Sequence, residues 1–124
     1  MQMDHKDKAF KSTWKDGVLI LRMKSIQDNT FNLMKIIIEA AVEHDRFNMA
    51  IDARELEPLS FRQMWAVGKF ASEVKYKIDQ YVGKLSFVLP RKYHRTVGLI
   101  MRFAGPNCEY YITENVKDAK QFLI

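Results

Sequence analysis

Two hydrophobic rhythms alternate along the chain: short apolar runs of strand length, and longer stretches in which apolar residues return every three or four positions. Ala9 to Trp14 and Val18 to Met23 are two strand-length runs, and Asp16-Gly17 between them is the dipeptide that suits a tight hairpin turn. From Asn29 or Thr30, either able to cap a helix, Phe31, Leu33, Met34, Ile37, Ile38, Ala41 and Val42 keep helical spacing as far as His44-Asp45. Phe47 to Ile51 closes on Asp52 without clean alternation, which predicts a central strand covered by helices, followed by a loop over 53–59.

Ser60-Phe61-Arg62-Gln63 has the spacing of a capping box, so a second helix is predicted to start at Ser60. Met64, Val67, Gly68, Ala71, Val74 and Ile78 form its apolar stripe, where Gly68 implies close packing on a sheet and Gly83 marks the exit. Leu85 to Leu89 reads as a strand, Pro90 to Gly105-Pro106 as a third helix, Tyr110 to Ile112 as a last strand, and 113–124 as a final amphipathic helix carrying Val116, Ala119, Phe122 and Leu123. The order β-β-α-β-α-β-α-β-α predicts an α/β fold: a mixed, mostly parallel sheet of about five strands with four helices, in one domain over 1–124.

Composition narrows the class. An apolar share of 48% and a charged share of 28% fit a globular chain, and no apolar run approaches the roughly 18 residues needed to span a bilayer. The polar beginning carries no apolar leader segment, so a cytoplasmic location is expected. Cys108 is the single cysteine, which excludes an intrachain disulfide and a multi-cysteine metal site. His5, His44 and His94 are too far apart for ligand spacing, and no Gly-rich phosphate loop is present, so neither metal nor cofactor is implied. The net charge of +5 favours anionic ligands or acidic partners without requiring them.

Ile51-Asp52-Ala53-Arg54, Ser60 at the next helix start, and the ending Tyr111-Ile112-Thr113-Glu114-Asn115 to Ala119 and Phe122-Leu123 give the chain a pattern that resembles STAS-domain proteins over its whole length. Sporulation anti-sigma-factor antagonists are the best-known of these, and single-domain STAS-like or CRAL-TRIO-like bacterial proteins are nearest in pattern. In the regulatory branch an Asp-Ser-Ser-Gly-like stretch at this helix start carries a phosphoacceptor. Here the stretch is Leu59-Ser60-Phe61-Arg62-Gln63, so Ser60 stands for the aspartate while Phe61 and Arg62 occupy the acceptor region. The resemblance therefore implies a regulatory module lacking the ordinary phosphoswitch.

Several residues are candidates for binding. Ser60 is a phosphorylation candidate because phosphate at a helix N-terminus meets free N–H groups, although a plain cap accounts for it too. Asp52 and Arg54 stand where a parallel strand delivers a loop, the usual ligand position in open α/β sheets. Arg91, Lys92, His94 and Arg95, with Arg102 beyond, contain no acid between them, and together with Arg54, Phe61 and Arg62 form the candidate contact set for a partner or an anion. Phe61, Trp65, Phe70, Tyr76 and Tyr81 exceed what one buried stripe needs.

With no nucleophile-base pair, metal set or cofactor loop, the expectation is a non-catalytic protein-interaction module. A protein partner is expected, and self-association or a small anionic ligand is compatible with the same surface. One alternative is a small lipid or anionic-ligand binding protein, which requires an apolar cavity beneath the second and third helices and against which a closed, fully packed core would argue. Another is nucleic-acid binding through a basic face, least favoured for want of any nucleic-acid motif.

Overall fold

A computed structural model describes residues 5–6, 9–103 and 105–124 of the chain. The described residues form one sheet whose strands lie side by side in sequence order: β1 (His5–Lys6), β2 (Phe10–Lys15), β3 (Val18–Met23), β4 (Phe47–Asp52), β5 (Val82–Val88) and β6 (Glu109–Thr113). The first three pair antiparallel, and β3 through β6 pair parallel. Helices α1 (Thr30–Val42), α2 (Phe61–Tyr81) and α3 (His94–Phe103) fill the three parallel crossovers, and α4 (Val116–Phe122) follows β6.

Local chemistry explains the framework. Lys15 pairs with Val18 across the hairpin, leaving Asp16 and Gly17 in the turn with φ of 53° and 75°. Two consecutive positive φ values match the right-handed twist of the flanking strands, and aspartate and glycine tolerate them best. Ser60 caps α2 by accepting from the Gln63 N–H at 3.1 Å, while the Gln63 side chain accepts from the Ser60 N–H at 2.8 Å. The box is anchored to its surroundings, since Gln63 Nε2 donates to the Ile26 carbonyl at 3.2 Å.

The two faces of the sheet are covered differently. Across one face, Leu21, Ile51, Phe87 and Ile112 lie in register, and this side carries α1, α2 and α3. Across the other, Ile20, Ala50, Ser86 and Tyr111 lie in register, and α4 packs over the β4 to β6 part of it. Asn48 ties the layers together: its Nδ2 donates to the Leu123 carbonyl at 2.7 Å and its Oδ1 accepts from the Lys84 N–H at 3.0 Å. Tyr111 stacks on Phe122 with centroids 5.3 Å apart.

The core lies between the sheet and α1, where Leu19, Leu21, Met34, Ile38, Met49 and Leu85 are fully buried. Helix α1 also fastens α2. Phe31 stacks on Phe70 with centroids 4.9 Å apart, and the ion pairs Lys35–Glu73 and Lys77–Glu39 join the outer surfaces of the two helices.

The five predicted strands and four helices are present, although the last helix, expected over 113–124, covers only Val116–Phe122, because Thr113 ends β6 and Asn115 caps the helix; four further differences stand out. The sheet gains the two-residue edge strand β1. Pro90 opens a 3-10 turn over Arg91–Tyr93, and the α-helix proper starts only at His94 and runs to Phe103, short of the expected stop at Gly105-Pro106, with Ala104 outside the described residues. Gly83 is inside β5 and not at an exit, because α2 runs to Tyr81 and β5 begins at the next residue. Gly68, expected at a close helix–sheet contact, has open space: a Cβ built there meets no atom within 4 Å.

Candidate functional site

Helix α2 packs against α1 and β5 but makes at most marginal contact with α3. Between the two helices, over the carboxyl ends of β3, β4 and β5, lies a cavity of about 130 Å³. Ile51, Ala53 and Phe87 form its floor, Met64 and Val67 its α2 wall, and Val97 and Ile100 its α3 wall. Among the described residues that line it, Tyr93 and Thr96 alone carry polar side-chain atoms, and almost none of that polar surface faces the space. Met64 is also exposed, so the cavity reaches the surface along this helix.

Its position follows from the topology. Parallel strands end on the same edge, and each crossover leaves that edge by a loop, so the helices can part there without breaking a ladder hydrogen bond. Its chemistry follows from the lining, which offers dispersion contacts, almost no polar surface and no charge. Apolar cavities of about 150 Å³ stay dry and admit a benzene-sized guest, so this one suits a single ring or the end of a short alkyl chain.

The residues singled out by sequence fall into three groups. Asp52 and Arg54 are occupied by one another: Arg54 Nε and Nη2 each donate to a carboxylate oxygen of Asp52 at 2.9 Å, and the Arg54 N–H adds a third bond at 3.3 Å. Asp52 is buried, and its hydrogen bond holds the Arg54 guanidinium pKa above its usual value, so the pair is a structural clamp at the end of β4. Ser60 is committed to the capping box.

The cluster after Pro90 is partly consumed by structure. His94 Nε2 lies 2.9 Å from the Leu89 carbonyl and anchors the helix start, while Arg91 pairs with Glu114. Lys92 lies over the Tyr93 ring at 5.1 Å, and Arg95 is exposed without a carboxylate partner among the described residues. Phe61 and Arg62 are exposed at the start of α2, with Phe61 89% accessible.

The aromatic excess on α2 divides between core and surface. Phe70 is buried and Tyr81 partly buried, whereas Trp65 at 72% and Tyr76 at 85% are accessible. Cys108 is half-buried, and burial followed by the charge of Asp79 pushes its thiol up to about 11. It is therefore a poor nucleophile near neutral pH. Among the described residues, no group of three His, Cys, Asp or Glu side chains is placed to hold a metal ion, and no helix is long and apolar enough to cross a membrane.

Sequence reasoning stated what a ligand carrier would require but not that the space exists, since the gap depends on how far α2 and α3 stand apart. A further signal was legible: residues 58–72 contain no acid, as do residues 90–108.

No family model and no curated protein matches this sequence. Among solved structures, the chain is similar to an uncharacterized protein of the DUF3478 family with a SpoIIAA-like fold from Shewanella loihica PV-4. The match covers 94% of this chain and 93% of that one, with a TM-score of 0.68 and 15% sequence identity. The chain has a SpoIIAA-like fold. This is the mixed α/β architecture that the order of strands and helices had suggested. At that identity the likeness concerns the fold, and the SpoIIAA-like chain's own binding chemistry has to be read from its side chains.

Proposed function

We propose that this SpoIIAA-like chain is a non-catalytic binding module whose cavity takes the apolar part of a small amphipathic molecule, such as a short-chain carboxylate. The observation that carries the reading is the uncharged cavity of about 130 Å³ between α2 and α3, where a closed core would have argued against a carrier. Ile51, Phe87, Val97 and Ile100 hold the alkyl chain or ring, and a polar head group stays at the mouth, because the lining turns almost no polar atom inward. An anionic head group is favoured because the acid-free segments 58–72 and 90–108, which supply two of the cavity walls, carry six cations.

The absence of a charged pair in the lining supports binding in preference to turnover. The test is calorimetry with straight-chain carboxylates of increasing length. Each methylene that enters the cavity contributes about 0.8 kcal/mol, so affinity rises about fourfold per carbon and levels off once the space is filled. Alcohols of matched length should bind more weakly. Affinity independent of chain length would overturn the reading.

A further inference from the structure

The outer surfaces of α2 and α3, on either side of the cavity mouth, carry a second feature. Phe61, Trp65 and Lys69 follow one another at i, i+4 and i+8 along α2, and Arg95, Leu99 and Phe103 do the same along α3. Each row thus combines two large apolar residues with one cation. Phe61 is 89% accessible, Trp65 72% and Phe103 77%, with Met64 and Leu99 exposed between them. Arg102 lies over the Phe103 ring at 5.5 Å.

The charge on these segments is one-sided. Residues 58–72 and 90–108 hold six of the twenty lysines and arginines and none of the fifteen acids. The rest of the chain, with fourteen cations against fifteen anions, is close to neutral, so the whole positive excess of the protein sits on the two segments that flank the mouth.

We infer that this face docks on an anionic lipid bilayer, with Phe61, Trp65, Leu99 and Phe103 entering the head-group region and Arg62, Lys69, Lys92, Arg95 and Arg102 meeting lipid phosphates. Protruding aromatic and leucine side chains among cations are the composition of peripheral interfacial binding, since the rings reach the acyl boundary while the cations stay with the phosphates. A second copy is the poorer occupant, because an isologous contact would set the same cations against one another. A bilayer also gives the mouth a purpose: an apolar guest passes between lipid and cavity without crossing water. Docking itself requires no guest, so it stands or falls separately from the ligand reading.

The experiment is flotation with phosphatidylcholine vesicles, with and without phosphatidylglycerol. Wild type should float only with the anionic vesicles and be released by high salt. At about 1 kcal/mol per cation, Lys69→Gln/Arg95→Gln should weaken partitioning about 25-fold, and Phe61→Ser/Trp65→Ser by at least about tenfold. All four side chains are exposed, and circular dichroism verifies that the variants fold. In a Trp14→Phe background the emission of Trp65 should shift to the blue on anionic vesicles and be quenched by brominated lipid.

Three results would overturn the inference: no flotation at low salt, flotation unchanged in Phe61→Ser/Trp65→Ser, or Trp65 already shielded in a vesicle-free dimer. A chain that binds carboxylates but ignores vesicles would leave the cavity reading standing and remove this one.

Discussion

Val97→Phe places about four additional carbon atoms in the α3 wall of the cavity. In a closed core such overpacking costs about 1–3 kcal/mol, because side chains leave their rotamers and the backbone shifts. Here the new ring enters a space of about 130 Å³. Full burial of those carbons at about 0.8 kcal/mol each would contribute about 3 kcal/mol, and incomplete burial with loss of ring rotation lowers this to a gain of about 1–2 kcal/mol. A chain of 124 residues unfolds with an entropy of about 0.26 kcal/mol per degree, so the midpoint should rise by about 4–8 °C. Thermal unfolding followed by circular dichroism reads the shift, and calorimetry on the same variant should show carboxylate binding lost. A midpoint lowered by a similar amount would mean that the site is already full, and the reasoning would fail at its first step.

Gly68→Ala should also stabilise, by about 0.5–1 kcal/mol, because the new Cβ meets no atom within 4 Å and alanine is the better helix former; urea unfolding checks it. Cys108, pushed up to about 11 from an ordinary 9.0, should be alkylated about a hundred times more slowly in the folded than in the unfolded chain at about pH 8, as mass spectrometry of iodoacetamide adducts would show. Hydrogen bonds from Lys77, Arg22 and Lys35 hold Glu39, Glu55 and Glu73 below their usual 4.5. The unfolded chain therefore takes up protons first, so their contribution is complete above that value and is lost as pH falls through the lower folded values. The midpoint should decline on acidification through this range, and less steeply in high salt, since these groups are exposed.

What the sequence disclosed depended on the range of the interaction. Asp16-Gly17 and Ser60–Gln63 were legible because each motif is completed by its own neighbours, through backbone sign in one case and reciprocal capping in the other. The α1 stripe was legible because its period places Met34, Ile37, Ile38 and Ala41 on one buried side. Gly68 misled because glycine on an apolar stripe suggests contact, whereas a Cβ built there meets no atom within 4 Å. The basic cluster after Pro90 was partly misread for a related reason. Glu114, 23 positions downstream of Arg91, and the Leu89 carbonyl near His94 take up two of its members, which spacing along the chain does not reveal. The cavity has no motif at all, since its lining residues are ordinary core types supplied by three strands, three helices and their loops.

The most direct test of the central claim is a methyl-resolved NMR titration with a straight-chain carboxylate such as octanoate. If the guest occupies the cavity, saturable shifts should appear at Ile51, Met64, Val67, Val97 and Ile100, which line it, and not at Val18 or Ile20, whose side chains lie on the opposite face of the sheet. Shifts that fail to saturate, or that spread equally to Val18 and Ile20, would contradict a binding site between α2 and α3.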